Sequence, residues 1–139
     1  GYTAIAASKT ASQVITIEID PNVIEMQKLN PYSQELFNNN KIKAYQGDIT
    51  EEIKKFKAEE FDFIILDSSS PHSSGNFFSL ENYRQAFRVL KKSGKLYHYL
   101  PDIHKERGRD FKSEIISRLK LAGFKRIKKQ DSYVVASKV

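Results

Sequence analysis

Apolar positions along the chain change period repeatedly, from short unbroken runs to steps of three and four residues. Residues Tyr2 to Lys9 are small and helix-compatible, and VITIEI, Val14 to Ile19, is a β-branched run that reads as a strand buried on both faces. That strand finishes with Glu18 and Asp20, one residue apart, before Pro21. Proline suits a first helical turn, with Asp20 as N-cap and Val23, Ile24, Met26 and Leu29 following. Asn30-Pro31 breaks this helix, a second segment runs from Tyr32 to Phe37, and NNNK is a turn. The strand IKAYQ then stops at Gly47-Asp48, and Thr50 is placed to cap a helix carrying Ile53 and Phe56. FDFIILD, Phe61 to Asp67, is the clearest strand, followed by the polar loop SSSPHSSGN. Leu80 to Leu90 is amphipathic, with Tyr83, Ala86, Phe87 and Leu90 on one stripe. KKSGKLYHYL reads as a turn and a strand closed by Pro101, and Phe111 to Leu121 as a helix ending near Gly123. FKRIKKQDSYVVASK supplies two last strands about a tight polar connection.

Strands alternating with helices predict an α/β fold, a doubly wound, mostly parallel sheet with helices on both faces. The closing strand pair has no helix between its members, so one C-terminal strand must run antiparallel. The 139 residues, 40% hydrophobic and without a linker-like stretch, are expected to form a single domain, residues 1–139.

Cysteine is absent, which excludes disulfides, thiolate metal sites and cysteine nucleophiles. His72, His98 and His104 are too scattered for a local metal motif, so no metal is expected. No run is long enough to span a membrane and nothing resembles a signal peptide, so the expected location is cytoplasmic, without a membrane partner. Twenty-three basic residues against 17 acidic ones leave a formal charge of +6, which permits a nucleic-acid partner without requiring one. Three lysine pairs, Lys54-Lys55, Lys91-Lys92 and Lys128-Lys129, stand beside element ends, as on a solvated surface.

In sheets of this kind ligands bind beyond the carboxyl ends of the strands. Glu18, Asp48 and Asp67 each stand at such an end, where carboxylates can accept hydrogen bonds from the hydroxyl or amino groups of a nucleoside. Any one of them alone reads equally as a helix N-cap or a solvated strand end. Glu18 is assigned to the ligand and Asp20 to the cap.

GYTAIAASK, VITIEIDPN, YQGDI, FDFIILD, KKSGKLYHYL and LKLAGFKRIKKQDSYVVASK follow the order of the class I S-adenosylmethionine-dependent methyltransferases. Across nearly the whole chain the sequence resembles that family, closest to archaeal methyltransferase-like proteins that are also similar to spermidine synthases. The resemblance implies a Rossmann-like fold with S-adenosyl-L-methionine as cofactor. It makes Gly1 the last glycine of the loop that approaches the cofactor's methionine part, with Tyr2 and Thr3 opening the first helix. It gives Glu18 the ribose hydroxyls, Ile19 a place on the adenine, and Asp48 the adenine amino group, with Ile49 beside it. Asp67 then falls where the reactive methyl and the acceptor meet. The family's first strand and earlier loop glycines are not in this sequence. A central strand cannot be dropped without leaving buried backbone groups unpaired at about 1–3 kcal/mol each. The chain is therefore expected to be N-terminally incomplete.

A second departure is DSSSP, where close relatives carry a proline-rich DPPR. Ser68, Ser69 and Ser70 replace that turn and put amine- or base-directed transfer in question. Asp67 and His72 are the candidates for a catalytic base, although a lone loop histidine such as His72 is more often simply exposed. In YHYL, alternation sends Tyr97 and Tyr99 to one face and His98 to the other, as packing aromatics first and acceptor contacts, Tyr99 among them, second. Arg107 and Arg109, in HKERGRD, could grip an anionic acceptor or lie in solvent. The expected activity is methyl transfer to an unidentified small-molecule or nucleic-acid acceptor. The rivals are aminopropyl transfer, as in polyamine synthases, and a non-catalytic nucleic-acid- or partner-binding domain; a homodimer is left open. A Rossmann dehydrogenase fits less well, because the chain ends in a helix and a strand hairpin.

Overall fold

The computed structural model describes residues 1–67, 76–100 and 111–139. His72, Arg107 and Arg109 lie outside the described residues, as does the whole serine-rich segment after Asp67. The chain packs as two compact units, Gly1–Glu52 and Ile53–Val139.

The first unit contains α1 (Tyr2–Ser8), β1 (Val14–Glu18), α2 (Pro21–Leu29), a single 3-10 turn (Pro31–Ser33), α3 (Glu35–Asn38), β2 (Ile42–Gln46) and α4 (Ile49–Glu52). Asp20 caps α2 as expected, its Oδ1 accepting from the Asn22 N–H at 2.8 Å with Pro21 in the first turn. The same device recurs at Asn30, whose Oδ1 accepts from Tyr32 N–H at 2.9 Å and starts the turn at Pro31. β1 and β2 are parallel, with Val14 opposite Ile42 and Glu18 opposite Gln46. The expectation that β1 is buried on both faces is corrected, since all five of its residues are only half-buried. Among the described residues β1 has one ladder neighbour, β2, and an open edge on its other side. The core of this unit is small: Ala4, Leu36 and Ile42 are buried, with Ile5 and Val14 packed against them.

The second unit opens with a 3-10 turn (Ile53–Lys55) and continues through β3 (Phe61–Leu66), α5 (Leu80–Val89), β4 (Leu90–Tyr99), α6 (Phe111–Ala122), β5 (Lys125–Lys129) and β6 (Tyr133–Ser137). Its strand order is β3-β4-β6-β5, with β3 and β4 parallel and β6 antiparallel to both β4 and β5. The expected C-terminal antiparallel strand is therefore β6, inserted between two strands that run the other way. β5, on the edge, exposes four of its five residues in KRIKK, a lysine-rich rim that discourages further pairing. β3 pairs only with β4 among the described residues.

α5 is capped by Ser79, whose Oγ accepts from the Asn82 N–H at 3.1 Å. α6 ends at Gly123, φ +113, where the Phe124 N–H reaches the Leu119 carbonyl at 3.1 Å and satisfies the last turn. Tyr83, Ala86 and Val89 of α5 and Ile115 and Leu119 of α6 are fully buried, as are Leu96, His98, Val134 and Ala136 of the sheet. Alternation along β4 leaves Lys95, Tyr97 and Tyr99 on the opposite, less covered face.

KKSG, expected as a turn, lies inside β4. The β3–β4 ladder jumps from Phe61 opposite Leu90 to Phe63 opposite Lys95, so the extra residues form a bulge with Ser93 at φ 66. Lys138 stitches this bulge, its N–H donating to Gly94 O at 2.9 Å and its carbonyl accepting from Ser93 N–H at 2.7 Å. A Cβ on Gly94 would lie 2.7 Å from the Lys91 carbonyl oxygen and 3.2 Å from that of Asp62, both backbone atoms. Gly94→Ala is expected to cost about 1–3 kcal/mol by overpacking, read as a lowered urea midpoint at unchanged slope.

Candidate functional site

The parallel pairing of β1 and β2 brings Glu18 and Asp48 to one edge of the first unit. The ladder closes with Gly47 N–H donating to the Glu18 carbonyl at 3.0 Å, and Asp48 is the next residue. Glu18 is half-buried as a residue, and its carboxylate is oriented by Asp20, whose N–H donates to Glu18 Oε1 at 3.0 Å. Asp48 Oδ1 accepts from the Thr50 N–H at 2.9 Å and from the Thr50 hydroxyl at 2.8 Å. Its backbone carbonyl receives the Glu51 and Glu52 N–H groups, so Asp48 caps α4. Thr50, expected as the cap, instead lies inside α4 and is buried, because the carboxylate two residues earlier competes better for the free N–H. The helix expected to carry Ile53 and Phe56 stops at Glu52.

Ile19 and Ile49 flank this edge. Ile19 is 54% exposed, which is unusual for isoleucine beside two carboxylates, and Ile49 is half-buried. Gly1 precedes α1 with no side-chain cap, and Thr3 is exposed. Tyr2 is also exposed, and its hydroxyl accepts from Asn30 Nδ2 at 2.7 Å, tying the start of α1 to the end of α2.

In the second unit Asp67 follows β3 and is exposed. Tyr97 stacks on Tyr133 with ring centroids 4.8 Å apart and planes at 25°. Its phenol is pushed up from the ordinary value, first by burial and then by Tyr133, Asp67 and Tyr99. Tyr97, Tyr99 and Tyr133 thus lie together at the carboxyl end of β4, and the charge of Asp67, just past the carboxyl end of the neighbouring β3, bears on the Tyr97 phenol. Tyr99 is 37% exposed and pairs across the ladder with Tyr133.

His98 lies on the other face, fully buried, with Nε2 2.8 Å from the Tyr83 hydroxyl and Nδ1 3.2 Å from the Leu66 carbonyl. A carbonyl only accepts, so Nδ1 carries the proton and Nε2 accepts from Tyr83. Burial holds the imidazole down to about 4, opposed by its backbone partners at Leu66 and Tyr99. The Tyr83 phenol is raised well above its ordinary value by burial, with Arg118 opposing. Alternation had placed His98 opposite its tyrosine neighbours. Its partner was missed, although a tyrosine on the apolar stripe of α5 needs a polar partner for its hydroxyl.

Among the described residues no group of three or more histidine, aspartate or glutamate side chains could hold a metal ion. None of the described helices is long and apolar enough to cross a membrane.

Comparison with known proteins identifies the architecture. An uncharacterized protein of the archaeon Methanocaldococcus jannaschii is 45% identical over 130 residues, 93% of this chain and 45% of that protein. The chain spans less than half the length of the curated relatives it matches. A crystal structure of spermidine synthase in complex with the transition state analogue AdoDATO superposes with a TM-score of 0.78 at 24% identity, over 93% of this chain and 47% of that one. The complex between the Haloferax volcanii Trm112 methyltransferase activator and the putative methyltransferase matches at TM-score 0.69 and 11% identity, over 99% of this chain and 78% of that one. These likenesses establish the Rossmann-like, class I methyltransferase type of fold. Residues 4–115 match the family model described as the spermine/spermidine synthase domain, and the chain belongs to that family.

Proposed function

We propose that this chain binds S-adenosyl-L-methionine through Glu18 and Asp48 and serves a methyltransferase. The observation that carries the reading is the pair of carboxylates on neighbouring strand ends, set by the β1–β2 ladder and by Gly47 N–H on the Glu18 carbonyl. An adenosine presents a ribose diol and an exocyclic amine, all donors, and two carboxylates are the acceptors they need. Glu18, oriented by the Asp20 N–H, takes the diol, and Asp48 takes the amine. Ile19, already exposed, and Ile49 offer apolar surface to the base. The bound sulfonium supplies an activated carbon with a good thioether leaving group. The protein's own contribution is alignment and the exclusion of water. Asp67 is the candidate to accept the proton that the acceptor loses.

Aminopropyl transfer is the second reading, and it is favoured by the family match and by the spermidine synthase structure. Both reactions displace a thioether from an adenosyl sulfonium but attack different carbons: methyl transfer releases S-adenosylhomocysteine, whereas aminopropyl transfer would use decarboxylated S-adenosylmethionine and release methylthioadenosine. The two readings separate by calorimetric titration of the whole protein with each nucleoside, followed by mass spectrometry of an acceptor amine. A gain of one methyl supports the first reading and a gain of one aminopropyl group the second.

Glu18→Ala is expected to weaken nucleoside binding about 10- to 100-fold, the worth of hydrogen bonds to a charged acceptor. Unchanged affinity would remove the ribose assignment and this function with it.

A further inference from the structure

The polar groups of His98 play no part in nucleoside binding as read above, yet the ring is fully buried in the second unit. Phe78 stacks on it at 5.6 Å between centroids and 18° between planes, and Phe77 and Tyr83 meet it edge-on at 5.9 and 5.5 Å. Phe78 in turn meets Phe111 at 5.1 Å, and its carbonyl accepts from Arg118 Nη1 at 3.0 Å. One imidazole therefore joins the end of β3, through the Leu66 carbonyl, to α5, through Tyr83, and through Phe78 to the start of α6. An apolar side chain would fill this space without having to satisfy two hydrogen bonds in a dry interior. The polar choice holds two backbone segments in one relative position.

We propose that His98, clamped between the Leu66 carbonyl and the Tyr83 hydroxyl, is a positioning residue that fixes the carboxyl end of β3 and so the placement of Asp67 for the transfer reaction. The inference rests on the reading of Asp67 as the acceptor-side carboxylate. Leu66 and His98 are ladder partners in β3 and β4, so the side-chain bond adds a second tie at the last pair of that ladder. Asp67 is the next residue along the chain, exposed at the carboxyl end of β3. A shift of the Leu66 carbonyl passes directly to the Asp67 backbone, because the two share a rigid peptide plane.

The two arms of the clamp have different consequences. In His98→Asn the amide Nδ2 stands near the place of Nδ1 and keeps the donor to Leu66 O, while the acceptor for Tyr83 is lost. His98→Leu loses both arms, and Tyr83→Phe loses only the arm to α5. The test is the Asp67 amide and side-chain carboxyl signals by NMR in these three variants and the parent protein, with nucleoside binding and turnover measured on the same samples. Asp67 signals are expected to shift or broaden in His98→Leu and to return toward parental positions in His98→Asn. Tyr83→Phe should leave them close to parental although it too is destabilised. In turnover with S-adenosylmethionine or its decarboxylated form and a primary amine, kcat should fall about tenfold in His98→Leu at unchanged KM for the nucleoside, with recovery in His98→Asn.

Asp67 signals identical in the parent and His98→Leu would overturn the proposal. So would an Asp67 shift that followed loss of stability equally in all three variants, which is the mark of a merely structural residue. Should His98→Leu not fold, His98→Gln takes its place: its amide reaches the position of Nε2 and keeps the arm to Tyr83 while losing the donor to Leu66 O. Asp67 signals should then shift in it but not in His98→Asn, and equal signals in the two would overturn the proposal. A parent protein that neither binds nor turns over either nucleoside defeats the proposed function, while the NMR comparison still decides whether His98 positions Asp67.

Discussion

Lowering the pH from 7 to 4 is expected to remove about 3 kcal/mol of stability from the parent protein that His98→Leu does not lose. The buried imidazole is held to about 4 against an ordinary value of 6.5, mainly by burial. Between those values the unfolded chain binds a proton at His98 that the folded chain refuses. Stability therefore rises with pH across the interval, and the contribution is complete above the unfolded value and lost as pH falls toward 4. Leucine has no proton to take up, so the stability difference between parent and variant, from urea midpoints and slopes, should drop by this amount from pH 7 to 4. A difference that stayed constant would mean that His98 titrates normally and is not enclosed as described. Tyr83 plays no part in this interval, because burial raises its phenol and keeps the hydroxyl protonated.

The same ring shows what was legible beforehand. Alternation in KLYHYL placed His98 opposite Tyr97 and Tyr99, because period two is a property of any extended strand. That the opposite face would be covered by Tyr83, and that the ring would reach the Leu66 carbonyl, depends on packing between elements 15 and 32 residues away in sequence. No local pattern carries that information. Asp20 was readable as a cap because carboxylate, proline and apolar run are contiguous. Asp48 and Thr50 were both plausible caps for one helix, and only the conformation around Gly47 decides which side chain meets the free N–H. KKSG looked like a turn because lysine, serine and glycine favour turns. It became a bulge because β3 and the Lys138 backbone hold it on both sides, a tertiary override of local preference. The strand directions of the second unit were deducible, since a hairpin must reverse direction and a helical crossover need not. Insertion of β6 between β4 and β5 was not, because strand order is set by long-range pairing.

Leu36→Ala should cost about 2–5 kcal/mol, and its effect should be confined to residues 1–52. Leu36 is 2% exposed and sits with Ala4 and Ile42 at the centre of the first unit, where the remaining packing comes from half-buried Ile5 and Val14. Removing three carbons from so small a core leaves a cavity that its neighbours are too few to close. The second unit has Leu96, Ile115, Leu119 and Val134 all fully buried about its own sheet, a core of which Leu36 is no part. Hydrogen exchange reads the contrast directly: protection in β1 and β2 should fall by several powers of ten while β4 and β6 keep theirs. Uniform loss across both units would show that the chain unfolds as one cooperative body. Because β1 and β2 carry Glu18 and Asp48, selective loosening of their ladder should also weaken nucleoside binding while both carboxylates remain in the sequence. Leu36→Met, which nearly conserves volume, should restore protection and binding together. Restored protection without restored binding would separate the ladder from the carboxylates it is proposed to position.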